Sequence, residues 1–521
     1  MARLTDIVRD RVARERPTDA PGSRFVPGPR RVALCYPSPY RAGMSSLGYQ
    51  QVLGRLRMAG VAAERAFLPD DVDAWRVGRQ PLITYETGAD VGRFPLLAVS
   101  LAYELEVTGL IQMLELAGIP PLRRDRGPHD PQVLLGGPIS MASPLVAAPF
   151  VDAMLLGEAE DTAPLGVSGF FDCDDRDSWL DLVASLPGGY VPERHGARLP
   201  PLAKASDEGL PACSRLLTPD AELSDMFLIE GERGCHRMCS FCVMRRTTNG
   251  GMRLVTPERV LSYVPDHARK VGLVGAAISD HPQLVPLLET LVGSGRSVSL
   301  SSLRADRIAR KPAIARLLRD SGARTLTVAS DGASERLRRT IVKNTRSDHL
   351  RTCAEQAGAL GYAVFKVYMI VGLPSETDDD IDELIAFTNE LDVLAGGTRV
   401  ALGVAPLVAK RNTPLDGAPF AGIATVDRRL KRLRRGLRRS VELRPTSARW
   451  AWVEHELSQG GPEVGEAMYA AHLAGGRFAH VKRALAAVDP TTRRPWAAHE
   501  PALPLGPSKR SGTGRVSRGV G

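Results

Sequence analysis

The chain contains no uninterrupted apolar run of the roughly 18 residues that a membrane helix needs, so no span is expected. Aromatic residues are scarce at 5%, and lysine is rarer still: of 68 basic residues nine are Lys and the rest Arg. With 50 Gly and abundant Ala, that skew reads as GC-rich coding and not as charge selected for nucleic acid, in spite of a formal charge of +9. The first thirty residues lack the apolar centre of a secretory signal, which makes a cytoplasmic location the expectation. Seven cysteines, unevenly spread, do not make a disulfide framework. No repeat of solenoid length is found. What remains is an ordinary globular composition, 43% hydrophobic and 24% charged over 521 residues. That length suggests roughly two to four domains.

Residues 1–29 are polar, carry Pro and Gly and show no periodicity, which predicts a loosely ordered segment. Short apolar runs at 32–36, 61–67, 96–101, 133–135 and 153–156 then alternate with helical text, notably at 45–59 and 104–118. Such alternation gives a parallel sheet with helices on both faces, so 30–170 reads as one doubly wound, Rossmann-like α/β domain. Residues 171–223, with Asp172, Asp174, Asp175 and Asp177 and a short helix near 178–186, read as a linker. A second series spans 224–425, with apolar runs at 226–229, 271–278, 297–303, 324–329, 363–371 and 399–404. These strand–helix units fit a partial (β/α)6 barrel of TIM type, whose chemistry sits at the C-terminal ends of the strands. Residues 426–500 read as a basic, helical C-terminal region, and 501–521 as a disordered tail.

Cys35, Cys173, Cys213 and Cys353 stand alone, whereas Cys235, Cys239 and Cys242 form a C-x3-C-x2-C loop directly after a strand. Three thiolates on one tight loop can ligate three irons of a 4Fe-4S cluster and leave the fourth iron open, whereas clusters that only carry electrons usually have four Cys ligands. Zinc is the competing metal and wants four ligands in a closed site. His236 would strain to be the fourth beside Cys235. Three buried free thiols are the remaining alternative.

The loop, with Phe241 just before the third Cys, resembles the signature of the radical S-adenosylmethionine (SAM) superfamily. Ile370-Val371-Gly372-Leu373-Pro374-Ser375-Glu376-Thr377 resembles the fifth-strand motif of its tRNA-modifying and cobalamin-associated branches, and Lys410-Arg411-Asn412-Thr413-Pro414 its sixth-strand motif in one two-domain bacterial family. The resemblance runs from about residue 31 to 490. It implies that Cys235, Cys239 and Cys242 hold a 4Fe-4S cluster whose open iron binds SAM. It further implies that Phe241, Ser302, Arg304, Asp331, Ile370, Gly372 and Pro374 line the SAM site, with Arg304 pairing the carboxylate and Asp331 near the ribose. Lys366, Tyr368 and Ile370 share one face of a strand by period two, and Lys366 and Tyr368 are the candidates for chemistry on the substrate. For His281, in Ser279-Asp280-His281, a solvated loop position is the expectation.

The first domain is similar to the cobalamin-binding-like domain that precedes many such barrels, with turns at Gly136-Gly137-Pro138 and Gly157-Glu158-Ala159-Glu160 where open sheets bind ligands. It lacks a D-x-H-x-x-G loop, and His129 is its only histidine, so cobalamin would be held without that ligand. Glu158 and Glu160 read equally as carboxylates at a helix start. The resemblance thus implies reductive cleavage of SAM to a 5'-deoxyadenosyl radical, with methyl transfer as the natural reaction if cobalamin binds. A reducing partner such as flavodoxin or ferredoxin and an unidentified substrate are implied with it. RNA modification, suggested by the motif at 370–377 and the basic residues at 428–439, is the alternative enzyme, and a non-catalytic iron–sulfur or zinc protein the alternative of another class.

Overall fold

Strands apolar on both faces belong inside a sheet, and the first domain is made of such strands. β1 (Arg31–Tyr36), β2 (Ala62–Phe67), β3 (Leu96–Ser100), β4 (Gln132–Gly136) and β5 (Ala153–Leu155) are buried along most of their length. In the computed structural model, which describes residues 4–248, 251–301 and 303–492, they run parallel in the order β2-β1-β3-β4-β5. A sixth strand, β6 (Gly189–Tyr190), closes one edge antiparallel. The sheet therefore continues into the stretch read as linker, which also holds the helix Arg176–Ser185. A two-residue strand carries no alternation from which it could be anticipated.

The N-terminal segment differs from expectation. Leu4–Arg14 is a helix whose Val8 packs on the sheet, and the following Glu15 pairs at 2.6 Å with Arg65, both nearly buried. Its order comes from tertiary ion pairing, which leaves no periodic mark in the sequence. The tail 501–521 lies outside the described residues.

The second unit has the α/β barrel progression. β7 (Met226–Glu230), β8 (Lys270–Val274) and β9 (Ser297–Leu300) form one parallel sheet in sequential order. β10 (Thr325–Asp331), β11 (Val364–Val371), β12 (Arg399–Pro406) and β13 (Glu442–Pro445) form a second. Sequential parallel neighbours joined by helices are the wall of a partial barrel. Along β11 the period is clear: Phe365, Val367, Met369 and Val371 are buried in the barrel core, and Lys366, Tyr368 and Ile370 share the opposite face.

The C-terminal helices Ala448–Gln459, Pro462–Leu473 and Phe478–Ala486 join the core of the first domain, through Val453, Leu457, Val464, Met468, Val481 and Leu485. The chain thus leaves the barrel and returns to seal the sheet with which it began. Lys410 stands at this seam. Its ammonium lies 2.7 Å from Glu104 of the first domain and 2.8 Å from Glu454, and Ser458 donates to the other Glu104 oxygen at 2.8 Å. The basic helix Ile423–Gly436 is partly neutralised within the barrel: Arg429 pairs Glu376 at 2.7 Å, and Arg432 pairs Asp382 at 2.5 Å.

Glu104 is 1% exposed, so Lys410→Ala would leave a buried carboxylate without its cation. We expect a loss of about 3–5 kcal/mol in denaturant unfolding, with much of it restored when Glu104→Gln is added.

Candidate functional site

After β7 the chain folds into a short hairpin, Glu232–Gly234 paired antiparallel with Met252–Leu254, and the three cysteines sit in the segment it encloses. Gly234 has φ +92°, and a Cβ there would run into the Gly251 carbonyl oxygen and Thr248 Oγ1, so the entry to the loop requires glycine. Three tethers hold the loop. Arg237, between the first two cysteines, donates twice to Asp280 at 2.9 Å, a fully buried carboxylate that follows β8. Ser240 N–H donates to the Ile341 carbonyl at 3.0 Å. Arg233 pairs Glu230 at 2.7 Å and Glu160 at 2.6 Å and lies 3.4 Å from Glu158, while Arg253 reaches Glu158 and, at 3.1 Å, Asp207. Glu158 and Glu160 are therefore not helix-start carboxylates alone; the first domain uses them to grip both strands of the hairpin.

All three thiols line one cavity of about 470 Å3, together with Phe241, Arg304, Asp331, Lys343 and Tyr368. Burial pushes the Cys235 and Cys239 thiols up, so taking up metal would displace their protons. Among the described residues no three His, Cys, Asp or Glu side chains converge to hold a single metal ion. Zinc needs four donors within about 2.3 Å of one centre, and the His236 ring is turned to Asp280, with Nε2 3.5 Å from its carboxylate. Three thiols on one cavity wall suit a cubane, in which each sulfur takes its own iron.

Arg304 is 8% exposed. Its Nε lies 3.0 Å from Asp306 without hydrogen-bond alignment, and neither Nε nor Nη2 has a hydrogen-bond partner among the described residues. A buried guanidinium with spare N–H groups is short of an acceptor, and an anionic ligand in the cavity would supply one. Asp331 ends β10 at φ +63°, after a break in register with β11, and its carboxylate meets Lys343. Tyr368 is 46% exposed on the cavity side, and Lys366 donates to its hydroxyl at 2.8 Å.

Not every expected residue reaches this wall. Ile370, Gly372 and Pro374 are absent from the residues lining the cavity. Gly372, at φ +87°, donates to Glu376 at 2.9 Å, and a Cβ would come within 3.0 Å of Ala421, so its glycine character is explained by the turn. Ser302 lies outside the described residues. His281 is not solvated: it is 2% exposed, bonds the Val255 carbonyl at 3.1 Å and accepts from Gln283 N–H, because the loop after β8 folds back under the hairpin. In the first domain Gly137 abuts the Leu101 backbone and Gly157 that of Ala203, so both turns face their own chain. His129 precedes β4, at the sheet edge opposite the strands' C-terminal ends. Sequence reasoning missed Arg233, Arg237, Asp280 and Lys343, whose partners are distant in the chain.

The family model described as radical SAM proteins, N-terminal, matches residues 49–192, and that of the radical SAM superfamily matches residues 229–388. An uncharacterised protein of Methanocaldococcus jannaschii is 27% identical over 409 residues, covering 75% of this chain and 80% of its own. Among solved structures, the radical S-adenosylmethionine methyltransferase TsrM of Kitasatospora setae, with cobalamin and a 4Fe-4S cluster bound, is 15% identical, with 77% of this chain and 75% of that one covered at a TM-score of 0.49. The cobalamin-dependent S-adenosylmethionine radical enzyme OxsB, with aqua-cobalamin and S-adenosylmethionine bound, is 14% identical, with 69% and 52% covered at 0.47.

Glu232, in the hairpin, generates a pH prediction. Burial raises its carboxyl from 4.5 to about 7, against a hydrogen bond from Ala277 N–H. The unfolded chain releases this proton near 4.5 and the folded chain near 7, so this group's contribution to stability falls as pH rises through that window. Glu232→Gln removes the effect. The melting temperature of the variant minus that of the wild type is expected to increase from pH 5 to pH 8, and a flat difference would show that Glu232 titrates alike in both states.

Proposed function

The chain belongs to the radical SAM superfamily, and from that premise we propose that it cleaves SAM reductively to methionine and a 5'-deoxyadenosyl radical, which takes a hydrogen atom from a substrate in the same cavity and leaves as 5'-deoxyadenosine. The observation that carries this reading is the shared cavity: three thiols from one loop and a buried, under-bonded arginine face one space beside parallel strands. A 4Fe-4S cluster held by Cys235, Cys239 and Cys242 would supply the electron and an open iron for SAM.

The chain's own residues do the rest. Arg304 binds the SAM carboxylate with its spare N–H groups, which fixes the sulfonium end near the thiols. Phe241 gives that end of the cavity an apolar wall. Tyr368 presents its phenol to the substrate, and Lys366, donating to the phenol oxygen, orients it and leaves the Tyr368 hydroxyl hydrogen to be donated. Lys366 is on this account a positioning residue. Ion pairs at Asp280, Glu158 and Glu160 hold the loop still while SAM binds.

Cobalamin, and with it methyl transfer to an unactivated carbon, is the finer form of this proposal. Its support is topological: strand order reverses between β1 and β3, where open α/β sheets bind ligands. A corrinoid there would be held without histidine, since His129 is at the other edge. RNA modification is the alternative reading; of the basic helix it rests on, Arg429 and Arg432 also pair with Glu376 and Asp382 of the barrel.

Anaerobically reconstituted protein given dithionite and SAM is expected to release 5'-deoxyadenosine, and corrinoid analysis of the purified protein decides the methyl-transfer form. Cys→Ala at 235, 239 or 242 should abolish iron binding and product, whereas Cys173→Ala should change neither. Arg304→Met should weaken SAM binding about tenfold or more with iron content intact. Absence of product in the wild type with a full cluster would overturn the reading.

A further inference from the structure

Lys343 has no place in the reading above, yet the fold takes trouble to bring it to the cluster side. It is 9% exposed, lines the cavity with the three thiols, and its ammonium meets the Asp331 carboxylate, itself 8% exposed. A lysine gains by extending its head to water, so a buried ammonium at a cavity wall needs a cause.

The backbone supplies one. Val342 and Asn344, on either side of Lys343, have φ +55° and +52°, and Asp331 has φ +63°. A β-branched residue in the left-handed region is an outlier that persists only when its surroundings hold it. Here Lys343 N–H donates to the Arg338 carbonyl at 2.9 Å, and Arg338 Nε donates to the Thr345 carbonyl at 2.9 Å. The cysteine loop adds the Ser240–Ile341 hydrogen bond, so the strained turn and the thiols form one assembly.

We infer that the Asp331–Lys343 pair sets the reduction potential of the cluster proposed above, and the inference rests on that cluster being present. One-electron reduction by a low-potential donor adds a negative charge to the cluster. The ammonium stabilises that charge and the carboxylate opposes it, and because both groups are nearly buried neither effect is fully screened. Together they act as a nearly neutral dipole; either one alone would move the potential, and in opposite directions.

The experiment is a redox titration of the reconstituted full-length chain, followed by the electron paramagnetic resonance of the reduced cluster in the absence of SAM. Asp331→Asn is expected to raise the midpoint and Lys343→Gln to lower it, the double variant to return toward the wild type, and Lys343→Arg to leave it in place. A purely structural role would change cluster content without moving midpoints in opposite senses. Midpoints equal to the wild type at full iron and sulfide content, or a shift of both single variants in one direction, would overturn the inference while the cluster reading stands. If Lys343→Gln takes up no iron, Asp331→Asn alone decides, and an unmoved or lowered midpoint overturns it. A wild type that takes up no iron overturns the cluster reading and this inference with it.

Discussion

Buried carboxylates that anchor arginines of the cysteine hairpin are the constraint on which the rest of the site depends. Three thiols close in sequence can adopt many arrangements, and only a loop held from several sides keeps them on one cavity wall. Asp280 fixes Arg237 from beneath, and Glu158 and Glu160 fix Arg233 and Arg253 from the neighbouring domain. Removing one partner of a buried pair typically costs about 3–5 kcal/mol, since the other charge is then left without solvent or partner. Such contacts make weak net contributions to stability but strong ones to a single geometry, which is what a site with an open coordination position needs.

The same logic ties the two domains. The Lys410 seam and the three C-terminal helices join the barrel to the first sheet, and the helices bury Leu457, Met468 and Leu485 in a core begun more than 300 residues earlier. The first domain is thereby part of the machinery that positions the cysteine hairpin, whatever ligand it binds. That dependence gives a physical reason for the two units to share one chain.

Inside the cavity, charge is arranged economically. Arg304 keeps spare donors for an anion, Lys343 is matched by Asp331, and Arg237 is fully engaged by Asp280. Among the described residues Arg304 keeps two N–H groups without a hydrogen bond even beside Asp306, so an incoming carboxylate has donors to meet. Lys366, by contrast, acts on a neutral phenol and leaves Tyr368 as the group that meets the cavity.

Local signals in the sequence determined a good deal. Alternating apolar runs predicted both α/β units, because a strand buried on two faces and an amphipathic helix each leave a periodic trace, and the spacing of Cys235, Cys239 and Cys242, with the motif at 370–377, carried the resemblance to the radical SAM superfamily. Only the tertiary structure decided what lies between distant segments: that Glu158 and Glu160 grip the hairpin, that the C-terminal helices belong to the first core, that His281 is buried, and that Lys343 lines the same cavity as the thiols. Ion pairs across scores of residues have no period and no motif. They arise from the fold, and a charged residue looks the same in a sequence whether it meets water or a buried partner.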